Sequence, residues 1–171
     1  MYAYEYLLLG HLSGGRRLME GPLPERIIAV AHGSWRALAT MAIAYEQGQW
    51  EVCTRTWEEL PATWRARWDL HNFWYAQCLL DRPDPDPRGA LEHLGREATA
   101  GDSGMEIPMA TARLLAHALL GETRDSGAVR RAEEEVARFE TRAAWDLHAL
   151  YMRRLARRNL ARARASRISP P

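Results

Sequence analysis

Two segments of this sequence carry residue types able to act on a substrate: RARWDLH, from Arg65 to His71, and RAAWDLH, from Arg142 to His148. Six of the seven positions agree at an offset of 77 residues. Each places an aspartate two residues before a histidine, and an Asp–His pair within hydrogen-bond reach is a general-base arrangement. On a helix, however, each residue turns by about 100°, so Asp69 and His71, like Asp146 and His148, diverge by about 200°. One helix cannot aim both at the same reacting atom. The spacing instead makes Arg65–Asp69 and Arg142–Asp146 neighbours at i,i+4, each pair worth about 0.2–0.5 kcal/mol. Trp68 shares a face with His71, and Trp145 with His148, while Leu70 and Leu147 point elsewhere. Each copy reads as a helix start with an ion pair on one side and apolar contact on two others, as an inner helix of a stacked array requires. The repeat is expected to be structural, and no catalytic residue is assigned.

A second chemical reading brings the two copies together, so that His71 and His148 with acids of other helices form a metal site in a small helical enzyme. Sites of that kind in helix cores use a Glu-x-x-His spacing. No glutamate precedes any of the six histidines (11, 32, 71, 93, 117 and 148) by three residues. No metal and no cofactor are assigned. All 23 basic residues are arginine. Without lysine there is no phosphate-loop lysine and no Schiff-base lysine within the chain. Leu12-Ser13-Gly14-Gly15 looks like the signature loop of ABC-type ATPases but reads as a Gly-rich helix end. Gly101-Asp-Ser-Gly104 looks like the nucleophile stretch of chymotrypsin-like proteases. In a helical region, Ser103 with Glu106 reads as a capping box instead.

The elements that must position any site are helical. Periodicity near 3.6 dominates, and strand alternation is absent. Helices are expected over roughly 2–12, 24–32, 35–46, 49–60, 61–80 and 87–98, with another ending near Gly121. Gly48 separates the third from the fourth, and Pro61 stops the fourth and opens the fifth. Asp86 before Pro87 fits an N-cap followed by proline at the first helical position. Residues 128–166 contain no glycine or proline; they form one very long helix or two that break near Thr141. At 171 residues the chain is long enough for one domain with a real core. Mean hydropathy is −0.42. Cys53 and Cys78, each inside an apolar helical pattern, are expected to be reduced packing residues of a cytoplasmic protein. The N-terminal stretch has neither the charge of a secretory signal nor the length of a membrane span.

Leu38-x2-Met41-Ala42-x2-Tyr45 followed by Cys53-x3-Trp57, with Gly48 and Trp50 at the turn, resembles the two helices of the tetratricopeptide-repeat (TPR) family. Phe73-x2-Ala76 with Ala90-x3-Leu94 is similar, and Ala132-x3-Val136 would be a third second-helix signature. A candidate unit starting at Leu114 departs from the pattern, because His117 stands where a small residue belongs. The turn after Tyr45 is one residue short, Pro61 comes early, and the Asp-Pro loop at 81–89 is an insertion. The resemblance spans residues 34–140. It implies antiparallel hairpins stacked as a short right-handed solenoid whose concave face binds a peptide or protein. The expected architecture is all-α: a helical-repeat body over 1–146, and a long basic C-terminal helix over 147–171 packed on the body or extending from it.

Two surfaces are candidates for partners. Trp50, Cys53, Trp57 and Leu60 form one helical stripe, and Trp64, Trp68, His71 and Tyr75 another. They pack as core, or else leave an aromatic groove flanked by Arg55, Arg65 and Arg67, a combination suited to interface hot spots. The partner-binding residues assigned are Trp57, Trp64, Arg65, Arg67, Trp68 and Tyr75. The second surface is the C-terminal segment. Seven arginines and no acid follow Asp146, which leaves 16 arginines against 22 acids, a net charge of −6, in residues 1–146. Arg153, Arg154, Arg157, Arg158, Arg162 and Arg164 surround a narrow seam of Trp145, Ala149, Met152, Ala156, Leu160 and Ala163. The segment reads as a solvated cap, as a grip on nucleic-acid phosphate, or as a lipid-binding helix, against which its small Ala-rich seam argues. Asp81, Asp84 and Asp86 are candidates to pair with a basic partner or with another copy's tail. The function expected is non-catalytic protein or peptide binding as an adaptor. The alternatives are nucleic-acid binding through the arginine helix and a metal-dependent enzyme. No membrane partner is expected, and a homo-oligomer is allowed.

Overall fold

Glycine and proline set the helix ends where local chemistry demands it. In this computed structural model, which describes residues 34–65, 69–95, 105–122, 126–142 and 147–168, helix α1 runs Ser34–Glu46 and stops at Gly48, whose φ is +70°. The Gly48 amide donates to the Tyr45 carbonyl (3.0 Å) and the Gln49 amide to that of Ala44 (2.8 Å). This is a Schellman end, and its left-handed residue is best supplied by glycine. Gly121 (φ +71°) repeats it: its own amide reaches the Ala118 carbonyl and that of Glu122 reaches His117. Helix α2, Trp50–Glu58, ends before Pro61. The Pro61 carbonyl then accepts the amides of Trp64 and Arg65, opening the short α3, Ala62–Arg65. Helix α4 is Asp69–Asp81. Helix α5, Pro87–Leu94, starts as its sequence indicates: the Asp86 carboxylate accepts the Gly89 amide at 2.9 Å, with proline in the first turn.

Helix α6 is Glu106–Leu119, α7 is Ser126–Arg142 and α8 is Leu147–Ile168. No strand occurs among the described residues, and the fold is all-α. The expected Ser103–Glu106 capping box does not start α6. Met105 is the N-cap, without a side-chain bond, because the helix begins where this fully buried methionine enters the core. Ser103, the Gly101–Gly104 stretch, and the helices and motifs expected before residue 34 lie outside the described residues.

The chain divides into two compact units, Met1–Cys78 and Leu79–Pro171, and the division falls inside α4. In the first, α1 and α2 form a hairpin. Leu38, Met41, Ala42, Tyr45, Cys53 and Trp57, the positions that resemble a repeat unit, are all buried. Tyr45 meets Trp50 edge-on at 5.7 Å and Trp74 at 5.0 Å between ring centroids. Trp74 and Phe73 are fully buried. Cys53 on α2 is bonded to Cys78 on α4 as a disulfide, and there is no free cysteine. This corrects the expectation of reduced cysteines. Pairing was invisible at a separation of 25 residues because it depends on α2 and α4 running antiparallel side by side.

In the second unit α6 is the central element, with α8 packed along it and α5 and α7 against it. Met109, Ala112, Leu115 and Ala116 are essentially inaccessible, as are Met105 before the helix and Thr111 within it. The Thr111 hydroxyl is satisfied by the carbonyls of Ile107 and Pro108. Arg113 reaches from α6 to the Leu94 carbonyl that ends α5, at 2.8 Å. Helices α7 and α8 pack against each other, and Arg164 on α8 forms an ion pair with Glu133 on α7. On one straight helix, 31 residues would separate those groups by about 46 Å at 1.5 Å per residue. Helices α7 and α8 are therefore two elements lying side by side, and of the two expected arrangements for 128–166 the broken one is correct. The C-terminal helix, expected to pack on the body or extend from it, lies along α6 within this unit.

Candidate functional site

Two of the aromatic residues singled out in the sequence, Trp57 and Tyr75, meet between α2 and α4. Trp57 on α2 stacks on Tyr75 of α4, with ring centroids 4.1 Å apart and planes inclined by 20°. The Arg65 guanidinium, at the end of α3, lies over the Trp57 ring, 5.0 Å from its centroid. Three residues contributed by three helices thus form one layered stack of guanidinium, indole and phenol. Trp57 itself is only 8% exposed and is the buried member of the stack, whereas Arg65 and Tyr75 are half-buried, as is Trp64, the residue before Arg65.

Asn72 holds this stack in place, and sequence reasoning passed it over. Its carboxamide oxygen accepts the Trp57 indole N–H at 3.0 Å, and its amide nitrogen donates to the Arg65 carbonyl at 2.8 Å. One buried amide therefore fixes the ring of α2 and the end of α3 at once. Buried indole and amide groups require such partners. The only hint in the sequence was a polar residue beside His71 within an otherwise apolar run. His71 is buried at 2% exposure, in keeping with a packing position. Arg67, Trp68 and Asp146 lie outside the described residues.

The basic helix is occupied largely by its own chain. Arg158 and Arg162 both bind the Asp81 carboxylate, and Arg162 also donates to the Leu80 carbonyl at 3.0 Å. Arg164 is held by Glu133. The opposite face, with Tyr151, Met152, Leu155, Ala156, Asn159, Leu160 and Ala163, is buried. Arg153 is half-buried, and Arg154 and Arg157 are exposed. Of the aspartates considered for an external partner, Asp81 is consumed by these arginines and Asp86 by the α5 cap and an ion pair with Arg82.

No group of three or more His, Cys, Asp or Glu side chains able to hold a metal ion occurs among the described residues. No helix among them is long and apolar enough to cross a membrane. Comparison with protein-family models, with curated proteins and with solved structures finds no match.

Proposed function

We propose that this chain is a non-catalytic protein- or peptide-binding module, an adaptor or partner subunit built from TPR-like hairpins. It engages its partner at the edge formed by Trp64, Arg65 and Tyr75 over Trp57. The observation that carries this reading is the Arg65–Trp57–Tyr75 stack. A guanidinium held over an indole is preorganised, so little side-chain entropy is lost when a partner covers it. Tryptophan, tyrosine and arginine are also the residue types that dominate interface energetics. Arg67 and Trp68, next in sequence, extend the same edge in this proposal. We place the protein in the cytoplasm, where a disulfide is usually transient or redox-sensing.

A second reading, nucleic-acid binding through α8, is favoured by the exposed Arg154 and Arg157. It is weakened by the internal pairing of Arg158, Arg162 and Arg164. The experiment that separates the two is affinity purification from native extract with nuclease, using the full chain, a Trp64→Ala/Arg65→Ala variant and an Arg154→Gln/Arg157→Gln variant. A stoichiometric protein retained by the wild type and the second variant, and lost from the first, supports the proposal. Recovery of nucleic acid alone, lost on changing Arg154 and Arg157, transfers the function to α8.

A further inference from the structure

The disulfide and the aromatic stack are adjacent rungs of the same helix pair. Trp57 follows Cys53 by four residues on α2, and Tyr75 precedes Cys78 by three on α4. On an α-helix those separations are one turn. The covalent link between 53 and 78, the stack between 57 and 75 and the hydrogen bond between 57 and 72 therefore form a ladder on an antiparallel pair. Helix α2 has only nine residues, and its outer positions Glu51, Arg55 and Glu58 are exposed. A helix of that length is marginal alone, so what it packs against sets its order. Both cysteines are fully buried, so a reductant gains access only when α2 and α4 part.

We propose that Cys53–Cys78 is a reversible thiol–disulfide site that sets the geometry of the neighbouring stack. Oxidised, it fixes the register of α2 on α4 and with it the Trp57–Tyr75 rung beneath Arg65. Reduced, it leaves that rung to noncovalent contacts, and the Arg65 edge loosens. The reductant is a dithiol. Its thiolate attacks one cysteine sulfur, breaking the Cys–Cys bond and forming a mixed disulfide. Its second thiol then releases the first cysteine. Two electrons and two protons pass to the protein, giving two cysteine thiols, and the dithiol is oxidised to its cyclic disulfide. That this regulates partner binding rests on the function proposed above, whereas the redox step and its structural effect do not.

The test uses the purified full chain equilibrated in mixtures of reduced and oxidised dithiothreitol. Thiols are counted by alkylation and mass spectrometry, and circular dichroism is recorded in the tryptophan bands and in the far ultraviolet. The expected result is a reversible transition from no free thiol to two, with loss of tryptophan-band ellipticity and retention of helical signal. Tryptophan bands that do not change, or two thiols that persist in the oxidising mixture, overturn the proposal. Loss of the helical signal on reduction also overturns it, because the bridge is then a staple for the whole fold. A Cys53→Ala/Cys78→Ala variant is expected to show the reduced spectrum without reductant, and the oxidised spectrum in that variant contradicts the proposal. If the variant does not fold, the wild-type titration alone decides. None of these readouts involves a partner, so a failed binding assay leaves this result standing.

Discussion

Asp81 and Arg158 stand 77 residues apart in the chain and 2.5 Å apart in space. The offset equals that between the two RAxWDLH segments. Corresponding positions of the two repeat helices, the last turn of α4 and the middle of α8, therefore meet through an ion pair. Asp81, with its side chain 8% exposed, also binds Arg162. Removing one partner of such a cluster strands the other charges. The arginines are about 40% exposed, so water offsets part of that penalty. Asp81→Asn is expected to cost about 2 kcal/mol. Urea denaturation monitored by helical signal measures it, and a loss below about 0.5 kcal/mol, the size of an ordinary surface change, refutes the anchoring role.

The cap of α5 makes a second prediction with an unusual sign. Asp86→Ala removes the bond to the Gly89 amide and is expected to cost about 1 kcal/mol. Glycine to alanine within a helix ordinarily stabilises by about 1 kcal/mol. Here a Cβ on Gly89 would sit 2.5 Å from the Asp86 carboxylate oxygen, so Gly89→Ala must displace the cap and gains nothing in the wild type. In the Asp86→Ala background the ordinary gain is expected to return. A double-mutant cycle by thermal unfolding checks this coupling.

The C-terminal ends of α1 and α6 and the start of α5 were legible in the sequence because glycine, proline and a capping aspartate act on their immediate neighbours, whereas α5 stops at Leu94, short of the expected 98. Gly48, Gly121 and Asp86–Pro87 stand where that chemistry places them. The contents of the candidate site were legible in part. Trp57, Arg65 and Tyr75 were named from helical phase, and the structure brings them into one stack. Phase alone did not reveal that Trp57 is the buried member of the stack, nor that Asn72 ties the rungs together, since both depend on which helix lies opposite. The same reason hid the partners of Cys53 and Asp81. A run of arginines on a helix looks like a surface for an external anion until the fold supplies an acid 77 residues away.

The bridge between Cys53 and Cys78 spans 25 residues. The loop-entropy relation assigns such a bridge about 3–4 kcal/mol of stabilisation. Reduction is therefore expected to lower the urea midpoint of the protein and, because the unfolded chain is no longer cross-linked, to leave the transition at least as steep. Parallel urea titrations of oxidised and reduced protein measure the difference, and coincident curves contradict it.

The two tryptophans of the site are expected to separate in their effects. Trp57→Ala removes a buried ring from the stack and is expected to cost about 3–5 kcal/mol of stability. Trp64→Ala, at a half-buried position, is expected to cost about 1 kcal/mol or less. Thermal unfolding of both variants checks the order, and equal losses contradict the division into a buried ring and a half-buried one.

The most direct test of the central claim is the dissociation constant of the recovered protein partner for wild-type chain and for Trp64→Ala/Arg65→Ala, by titration calorimetry on variants whose helical signal is intact. The account predicts a weakening of about tenfold or more, the equivalent of about 1.4 kcal/mol. Affinity unchanged by the double substitution contradicts it and returns the stack to the hydrophobic core.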